Sequence, residues 1–200
     1  MIAEYADLHP DVSVNLSMTE CMVDMVGEGF DLAVRDSPVP DLSLIARRVA
    51  TYRFVVCGAP SYLKRRGTPK RPADLREHNC LGCSHSAWGD EWRFAGPDGK
   101  QSVALTGNLQ SNSANALRLA ALHGQGLIMS PMFLVAEEIK AGRLVAILKE
   151  FLRDEHAINA IYPHRQHMSA KVRSFIDLSI RYFREHPTWA QPCNAQEIGR

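Results

Sequence analysis

The chain has 200 residues, 46% of them apolar, which suits one domain or two small ones with a real core. Its formal net charge of +1 at pH 7 excludes a chain-wide basic field that would hold nucleic acid. No apolar run reaches the roughly 18 residues of a membrane span, and residues 1–7 lack signal-peptide features, so we expect a cytoplasmic protein without a membrane partner.

The amino-terminal segment predicts a helix, a strand and a second helix. Residues 1–9 place apolar side chains at helical spacing, and Pro10 ends this helix. Residues 11–18 alternate between apolar and polar side chains, which is typical of a strand with one wetter face. Thr19 can then cap a helix whose apolar side chains keep helical spacing up to Gly27.

Residues 29–35 predict a short buried strand with Arg35 at its carboxyl end. Open α/β sheets bind ligands at this end of their strands, and a guanidinium is always charged and forked to hold a carboxylate. Arg35 is therefore a candidate anion-binding residue. A structural salt bridge to Asp31, Asp36 or Asp41 is an equally open alternative.

The remaining chain alternates apolar runs with helical patterns. Strands are predicted at residues 44–49, 53–57, 80–83, 91–94, 102–105, 127–129, 144–148 and 157–162. Helices are predicted at residues 61–66, 72–76, 113–123 and 132–140, and a final helix follows the cap residue Ser169. This alternation favours two open α/β sheets.

A set of segments, taken in order along the chain, carries a family resemblance. They are E-G-F-D-L-A-V-R (28–35), D-L-S-L-I-A-R-R-V (41–49), V-V-C-G-A-P-S-Y-L-K-R-R-G (55–67), T-P-K-R-P-A-D-L-R-E-H-N-C-L (68–81), L-R-L-A-A-L-H-G-Q-G-L-I-M-S-P (117–131), A-G-R-L-V-A-I-L (141–148) and Y-P-H-R-Q-H-M-S-A-K-V-R-S-F-I-D (162–177). Together they resemble the effector-binding domain of LysR-type transcriptional regulators.

The resemblance implies an α/β fold of two Rossmann-like subdomains joined by two crossover strands, as in type II periplasmic binding proteins. Subdomain I would hold residues 1–52 and 156–186, subdomain II residues 53–155, and residues 187–200 would form a C-terminal tail. In this family a strand precedes the first helix, and a winged helix-turn-helix precedes the domain. We expect both to be absent because the chain starts late; the alternative for the strand is that a partner supplies it.

The implied function is to sense an effector and to oligomerise. A small anionic metabolite would bind in the cleft between the subdomains and modulate DNA binding and transcription by the full-length protein. The expected partners are this effector, further copies in a homodimer or homotetramer, and DNA only through the absent winged helix-turn-helix. A stand-alone solute-binding protein of the same two-lobed fold is the alternative.

Hydroxyl and amide side chains at predicted element ends could line a small polar site. With Arg35, and with an apolar wall that the resemblance implies, the candidate effector-binding residues are Ser17, Thr19, Arg35, Ser37, Ser84, Ser111, Asn112, Pro131 and Met132. Capping and turn formation explain each polar residue singly just as well. No catalytic residues and no cofactor are expected, because hydrolase, zinc-protease and nucleotide-binding motifs are missing from the sequence.

Two thiols and two imidazoles at His78, Cys80, Cys83 and His85 have a spacing seen in zinc sites. If this stretch is a strand, the two thiols point to opposite faces and cannot share one tetrahedral ion. A turn at Gly82 would restore the geometry, but we expect no metal. The chain has five cysteines, an odd number at irregular spacing, which fits reduced thiols better than disulfides.

Residues 64–71 hold five basic groups around the expected helix stop at Gly67. Such a run could contact DNA phosphates. We expect instead a solvated helix end, where cations complement the carboxyl-terminal helix dipole.

Overall fold

The structure, a computed structural model, describes residues 1–19, 24–36, 43–84, 90–96, 99–164 and 168–186. In these ranges the chain forms two compact units of mixed α/β structure. Unit 1 holds the described residues of Met1–Thr51 and those from His156 onward, and unit 2 holds those of Tyr52–Glu155.

The elements follow one another in an irregular alternation of helices and strands. The helices are α1 (Ile2–Leu8), α2 (Pro60–Arg66), α3 (Ala114–Leu122), α4 (Met132–Lys140) and α5 (Ala170–Glu185). The strands are β1 (Ala33–Arg35), β2 (Leu44–Tyr52), β3 (Phe54–Gly58), β4 (Cys80–Cys83), β5 (Glu91–Gly96), β6 (Gly99–Ala104), β7 (Gln110–Ser111), β8 (Leu127–Pro131), β9 (Val145–Ile147) and β10 (His156–Pro163). Short 3₁₀ helices lie at Pro72–Glu77 and Lys149–Phe151.

The ends of the helices follow local signals in the sequence. Gly67 ends α2 with a φ of 84°, a conformation that a residue without a Cβ adopts at little cost. The hydroxyls of Ser113 and Ser169 accept hydrogen bonds from backbone N–H groups in the first turns of α3 and α5. The predicted helix after Pro72 is a 3₁₀ helix, and β7 was missed because two residues show no periodicity.

Unit 1 contains a three-stranded sheet in the order β1-β10-β2. Helix α5 buries Val172 and Ile176, as its predicted apolar face requires. Tyr5 of α1 is buried too, and its hydroxyl donates to the backbone carbonyl of Lys171 at 2.9 Å. Helix α1 is thereby attached to α5.

The predicted strand at residues 11–18 is wrong, because none of these residues belongs to a strand. Val14, Leu16 and Met18 are 41%, 57% and 88% exposed. Alternation describes the two faces of an extended segment, but a strand also needs a neighbour for its backbone hydrogen bonds. The alternating pattern alone therefore predicted more structure than the segment has.

The predicted helix from Thr19 to Gly27 is wrong where it can be compared, from Asp24 onward, while residues 20–23 lie outside the described ranges. This part forms turns instead. The Asp24 carboxylate accepts from the backbone N–H of Val26 at 3.2 Å and of Gly27 at 2.9 Å. Such local side-chain hydrogen bonds compete with helical ones.

The predicted strand around Arg35 is confirmed as β1, but it is shorter than expected and lies at a sheet edge. Val34 is 43% exposed, so the expectation of a buried strand is wrong for this face. Burial on both faces requires helices on both sides of the sheet. Periodicity over three residues does not reveal whether those helices are present.

Unit 2 contains a five-stranded sheet in the order β7-β4-β8-β3-β9. Strand β4 runs parallel to β7 and β8, whereas β3 runs antiparallel to β8 and β9. Two hydrophobic clusters cover its faces. One contains Val56 and Tyr62, and the other contains Val55, Leu117 and Ile128. Neighbouring residues of β3 thus point into different clusters, as alternation across a strand requires.

In the described part of the chain, no helix has the length and apolar content that crossing a membrane requires.

Candidate functional site

The carboxyl ends of three strands meet at one edge of the unit 2 sheet. Because β4 is parallel to both β7 and β8, the residues that follow these strands lie side by side. Cys83 pairs with Ser111 across the sheet, and the backbone N–H of Ser84 donates to the carbonyl of Ser111 at 3.0 Å. The structure therefore brings the predicted site residues Ser84 and Ser111 together, with exposed Asn112 next to them.

Two serine hydroxyls at this edge also accept hydrogen bonds from nearby backbone N–H groups. Ser111 Oγ accepts from the backbone N–H of Ser113 at 3.0 Å, and Ser113 Oγ accepts from the N–H of Ala116 at 3.4 Å. These are the turn and capping contacts that the sequence left open as an alternative. A hydroxyl that accepts a hydrogen bond can still donate one, so both roles are compatible for Ser111.

Pro131 and Met132 occupy the same edge at the end of β8 and the start of α4. Pro131 is half-buried. The Met132 side chain is 6% exposed and packs in the cluster that contains Val55 and Ile128. Its side chain therefore serves the core of unit 2 in this structure.

Arg53, which we did not predict as a site residue, lies beside this edge. Its backbone carbonyl accepts from the N–H of Met132 at 2.8 Å, and its Nη2 donates to Glu155 Oε1 at 2.8 Å. Its Nε is buried and has no hydrogen-bond acceptor among the described residues. The available signal was a single basic residue between Tyr52 and Phe54, at the start of an apolar run.

In unit 1, Arg35 is half-buried at the end of β1, opposite Asn159 of β10. Asp31, one of its three alternative partners, accepts from Lys171 Nζ at 2.6 Å. Ser17 and Thr19 are exposed in the segment that forms no strand. The predicted site residue Ser37 lies outside the described ranges, as does Asp41.

None of the predicted site residues lines a shallow depression on unit 1. Its volume is about 310 Å³, and it is lined by Met168, Ala170, Arg173, Ser174 and Asp177. Asp177 pairs there with Arg47 of β2 at 3.2 Å.

The two thiols of the zinc-like spacing lie on opposite faces of β4, as the strand argument predicted. Cys80 belongs to one cluster of unit 2 and Cys83 packs against the other. Burial raises the pKa of the Cys57 and Cys80 thiols to about 12, so both stay protonated at neutral pH. Within the described ranges, which exclude His85, no three His, Cys, Asp or Glu side chains are placed to hold a metal ion.

His78 is buried beside Tyr62, whose hydroxyl lies 3.3 Å from His78 Nδ1. The same hydroxyl accepts from the backbone N–H of Asn79 at 2.8 Å. Burial holds the pKa of His78 below its usual value of 6.5, with the nearby Arg66 acting in the same direction. The imidazole is therefore kept neutral as part of the unit 2 core.

The basic run at residues 64–71 ends α2, as expected. Two of its guanidiniums hold backbone carbonyls: Arg65 donates to Gly124 at 2.8 Å and Arg66 to Glu77 at 3.2 Å. These contacts fit a structural helix end better than a surface kept for phosphates.

Comparisons with known proteins agree on one family. The family model for the LysR substrate binding domain matches residues 1–184. The HTH-type transcriptional regulator DmlR of Escherichia coli strain K12 is 31% identical over 183 residues, which cover 90% of this chain and 59% of DmlR. An uncharacterised HTH-type transcriptional regulator of Haemophilus influenzae is 30% identical over 164 residues, covering 82% of this chain and 57% of that protein.

Solved structures give the same result. The regulatory domain of CrgA, a LysR-type transcriptional regulator from Neisseria meningitidis, matches with a TM-score of 0.81 and 26% identity, covering 90% of this chain and 89% of that one. The regulatory domain of AphB in Vibrio vulnificus matches with a TM-score of 0.75, also at 26% identity, covering 90% and 89%. The chain spans less than two thirds of the length of the curated relatives that it matches.

Proposed function

This chain belongs to the LysR substrate-binding domain family, and we propose that it senses a small anionic effector and mediates oligomerisation for a LysR-type transcriptional regulator. Its fold is the periplasmic-binding-protein-like α/β fold of LysR regulatory domains. The observation that carries the proposal is the family match over residues 1–184. The polar edge of the unit 2 sheet, where Ser84 and Ser111 meet, supports it.

The effector binds in a cleft between two subdomains, a discontinuous one of residues 1–52 with 156–186 and a continuous one of residues 53–155. Arg35 holds its anionic group, since a strand-end guanidinium can grip a carboxylate with two parallel hydrogen bonds. The remaining contacts come from polar strand ends and one apolar residue, namely Ser17, Thr19, Ser37, Ser84, Ser111, Asn112 and Pro131, and Met132 supports that edge from the core.

Binding shifts the relative populations of two subdomain orientations. It does so only to the extent that the effector has different affinities for them. A homodimer or homotetramer passes this shift to winged helix-turn-helix domains, which contact DNA in the full-length regulator. The domain works in the cytoplasm, without a cofactor and without catalysis, and its named relatives are transcriptional regulators.

A thermal-shift screen of small carboxylates tests this function. A carboxylate at 100 times its dissociation constant should stabilise the wild-type chain by about 2.7 kcal/mol. Arg35→Ala should lose most of this stabilisation. Arg47→Ala, which removes an exposed guanidinium paired with Asp177 in the same unit, should keep it. Equal stabilisation of both variants would remove Arg35 from the site.

A further inference from the structure

Arg53 connects the first and last segments of unit 2. The chain enters this unit at Tyr52 and leaves it after Glu155. The Arg53 side chain donates to the Glu155 carboxylate at 2.8 Å. One ion pair therefore links the two places where the chain enters and leaves the unit.

This ion pair uses only part of the arginine's bonding capacity. Nη2 reaches Glu155, but the buried Nε has no acceptor among the described residues. An unpaired buried donor disfavours the conformation that buries it. The side chains of Arg53 and Glu155 are also 31% and 49% exposed, so water weakens their attraction. The Glu155 contact therefore holds the guanidinium only weakly, in a conformation that leaves Nε without an acceptor among the described residues.

Arg53 also lies beside the polar edge of the sheet. Phe54 pairs with Pro131 across β3 and β8, and the Arg53 carbonyl accepts from the Met132 N–H at 2.8 Å. The Arg53 backbone therefore lies at the edge where the carboxyl ends of β4, β7 and β8 meet. A rotation of the side chain that exposes Nε there breaks the Glu155 contact but no hydrogen bond of Nε, because Nε has no acceptor among the described residues.

We propose that Arg53 is an effector-contacting residue which exchanges Glu155 for a carboxylate of the effector. The incoming carboxylate accepts from Nε and a terminal nitrogen at once, which gives Nε the acceptor that the described residues do not supply. The exchange also releases the link between the two ends of unit 2. This inference rests on the proposed effector function for the existence of a ligand, but not on the role of Arg35.

The substitution Glu155→Gln provides the decisive test. Glu155→Gln removes the competing carboxylate and keeps Arg53, so acetate should bind up to about fivefold more tightly than to the wild type. Arg53→Lys keeps the charge but loses the fork, so acetate should bind about tenfold or more weakly. Glu4→Gln, which disrupts the exposed Arg181–Glu4 pair of unit 1, is the matched control and should leave the affinity for acetate unchanged.

Binding is measured by titrating ¹⁵N-labelled protein with acetate and, in parallel, with neutral acetamide. The resonance of the arginine Nε–H that disappears in Arg53→Lys should shift with acetate and not with acetamide. An unmoved resonance, an equal response to acetamide, or unchanged or weaker binding by Glu155→Gln would each overturn the proposal. Should Arg53→Lys fail to fold, Glu155→Gln is sufficient, because tighter binding cannot result from lost structure.

The same titration in Arg35→Ala separates the two hypotheses. If acetate still shifts the Arg53 resonance there while Arg35→Ala binds carboxylates as tightly as the wild type, the role of Arg35 fails and that of Arg53 stands. If carboxylate binding depends on Arg35 and the Arg53 resonance stays unmoved, the reverse holds.

Discussion

The two units differ in where their large apolar side chains lie. In unit 2, Leu127 and Ile128 of β8 are at most 1% exposed, because clusters of side chains cover both faces of the sheet. In unit 1, Val14, Leu16 and Met18 are 41% to 88% exposed in a segment without strand partners. Similar apolar residues are therefore buried or exposed according to whether a sheet and its covering helices surround them.

The largest difference between the units should appear on truncating one leucine in each. Leu127→Ala removes a fully buried side chain from the central part of the unit 2 sheet and should lower the free energy of unfolding by about 2–5 kcal/mol. Leu16→Ala, in exposed surroundings, should change it by less than about 0.5 kcal/mol. Urea denaturation measures both. A large loss from Leu16→Ala would mean that unit 1 buries this residue in solution.

Loss of an ion pair should also cost more unfolding free energy in unit 2 than in unit 1. Glu138 is 13% exposed and accepts from Arg118 and Arg143, each at 2.5 Å. Glu138→Ala should therefore cost about 1–2 kcal/mol of unfolding free energy, because two guanidiniums lose a shared partner. Asp177→Ala in unit 1 removes the carboxylate from a half-exposed pair with Arg47 and should cost no more than about 0.5 kcal/mol. Equal losses in urea denaturation would contradict this contrast.

The smallest expected effect is a pH dependence that comes from unit 2. Burial lowers the pKa of His78 in the folded chain, so below pH 6.5 the unfolded chain binds the proton more readily than the folded one. This contribution to stability is complete above pH 6.5 and is lost as the pH falls through the folded-state pKa. Unfolding midpoints above and below pH 6.5 should therefore differ less in His78→Gln than in the wild type. Identical pH profiles would exclude His78 as the source.

Local sequence signals predicted most of unit 2. Gly67 at the end of α2 and Ser113 at the start of α3 act through contacts within a few residues, so the sequence contains all the information that they need. The same reasoning gave a wrong strand for residues 11–18, because a strand depends on a partner that its own alternation does not specify. The opposite faces of Cys80 and Cys83 were predictable because they follow from strand geometry alone.

The candidate site likewise contains one feature that local sequence predicted and others that depend on distant residues. The position of Arg35 at a strand end was predictable, since Arg35 directly follows the apolar residues that mark the strand in the sequence. Arg53 was missed because its partners Met132 and Glu155 are about eighty and a hundred residues away, and no periodicity connects them. The pairing of Ser84 with Ser111 likewise depends on strand order.

Sequence alone was sufficient for the family resemblance and for most helices and strands, because motifs, caps and periodicity are properties of neighbouring residues. Three-dimensional contacts were required to show which strands share an edge, which apolar residues remain in water, and that a buried guanidinium nitrogen finds no acceptor in the described part of the chain. These features arise from groups far apart in the chain, whose meeting depends on the complete arrangement of strands within a unit.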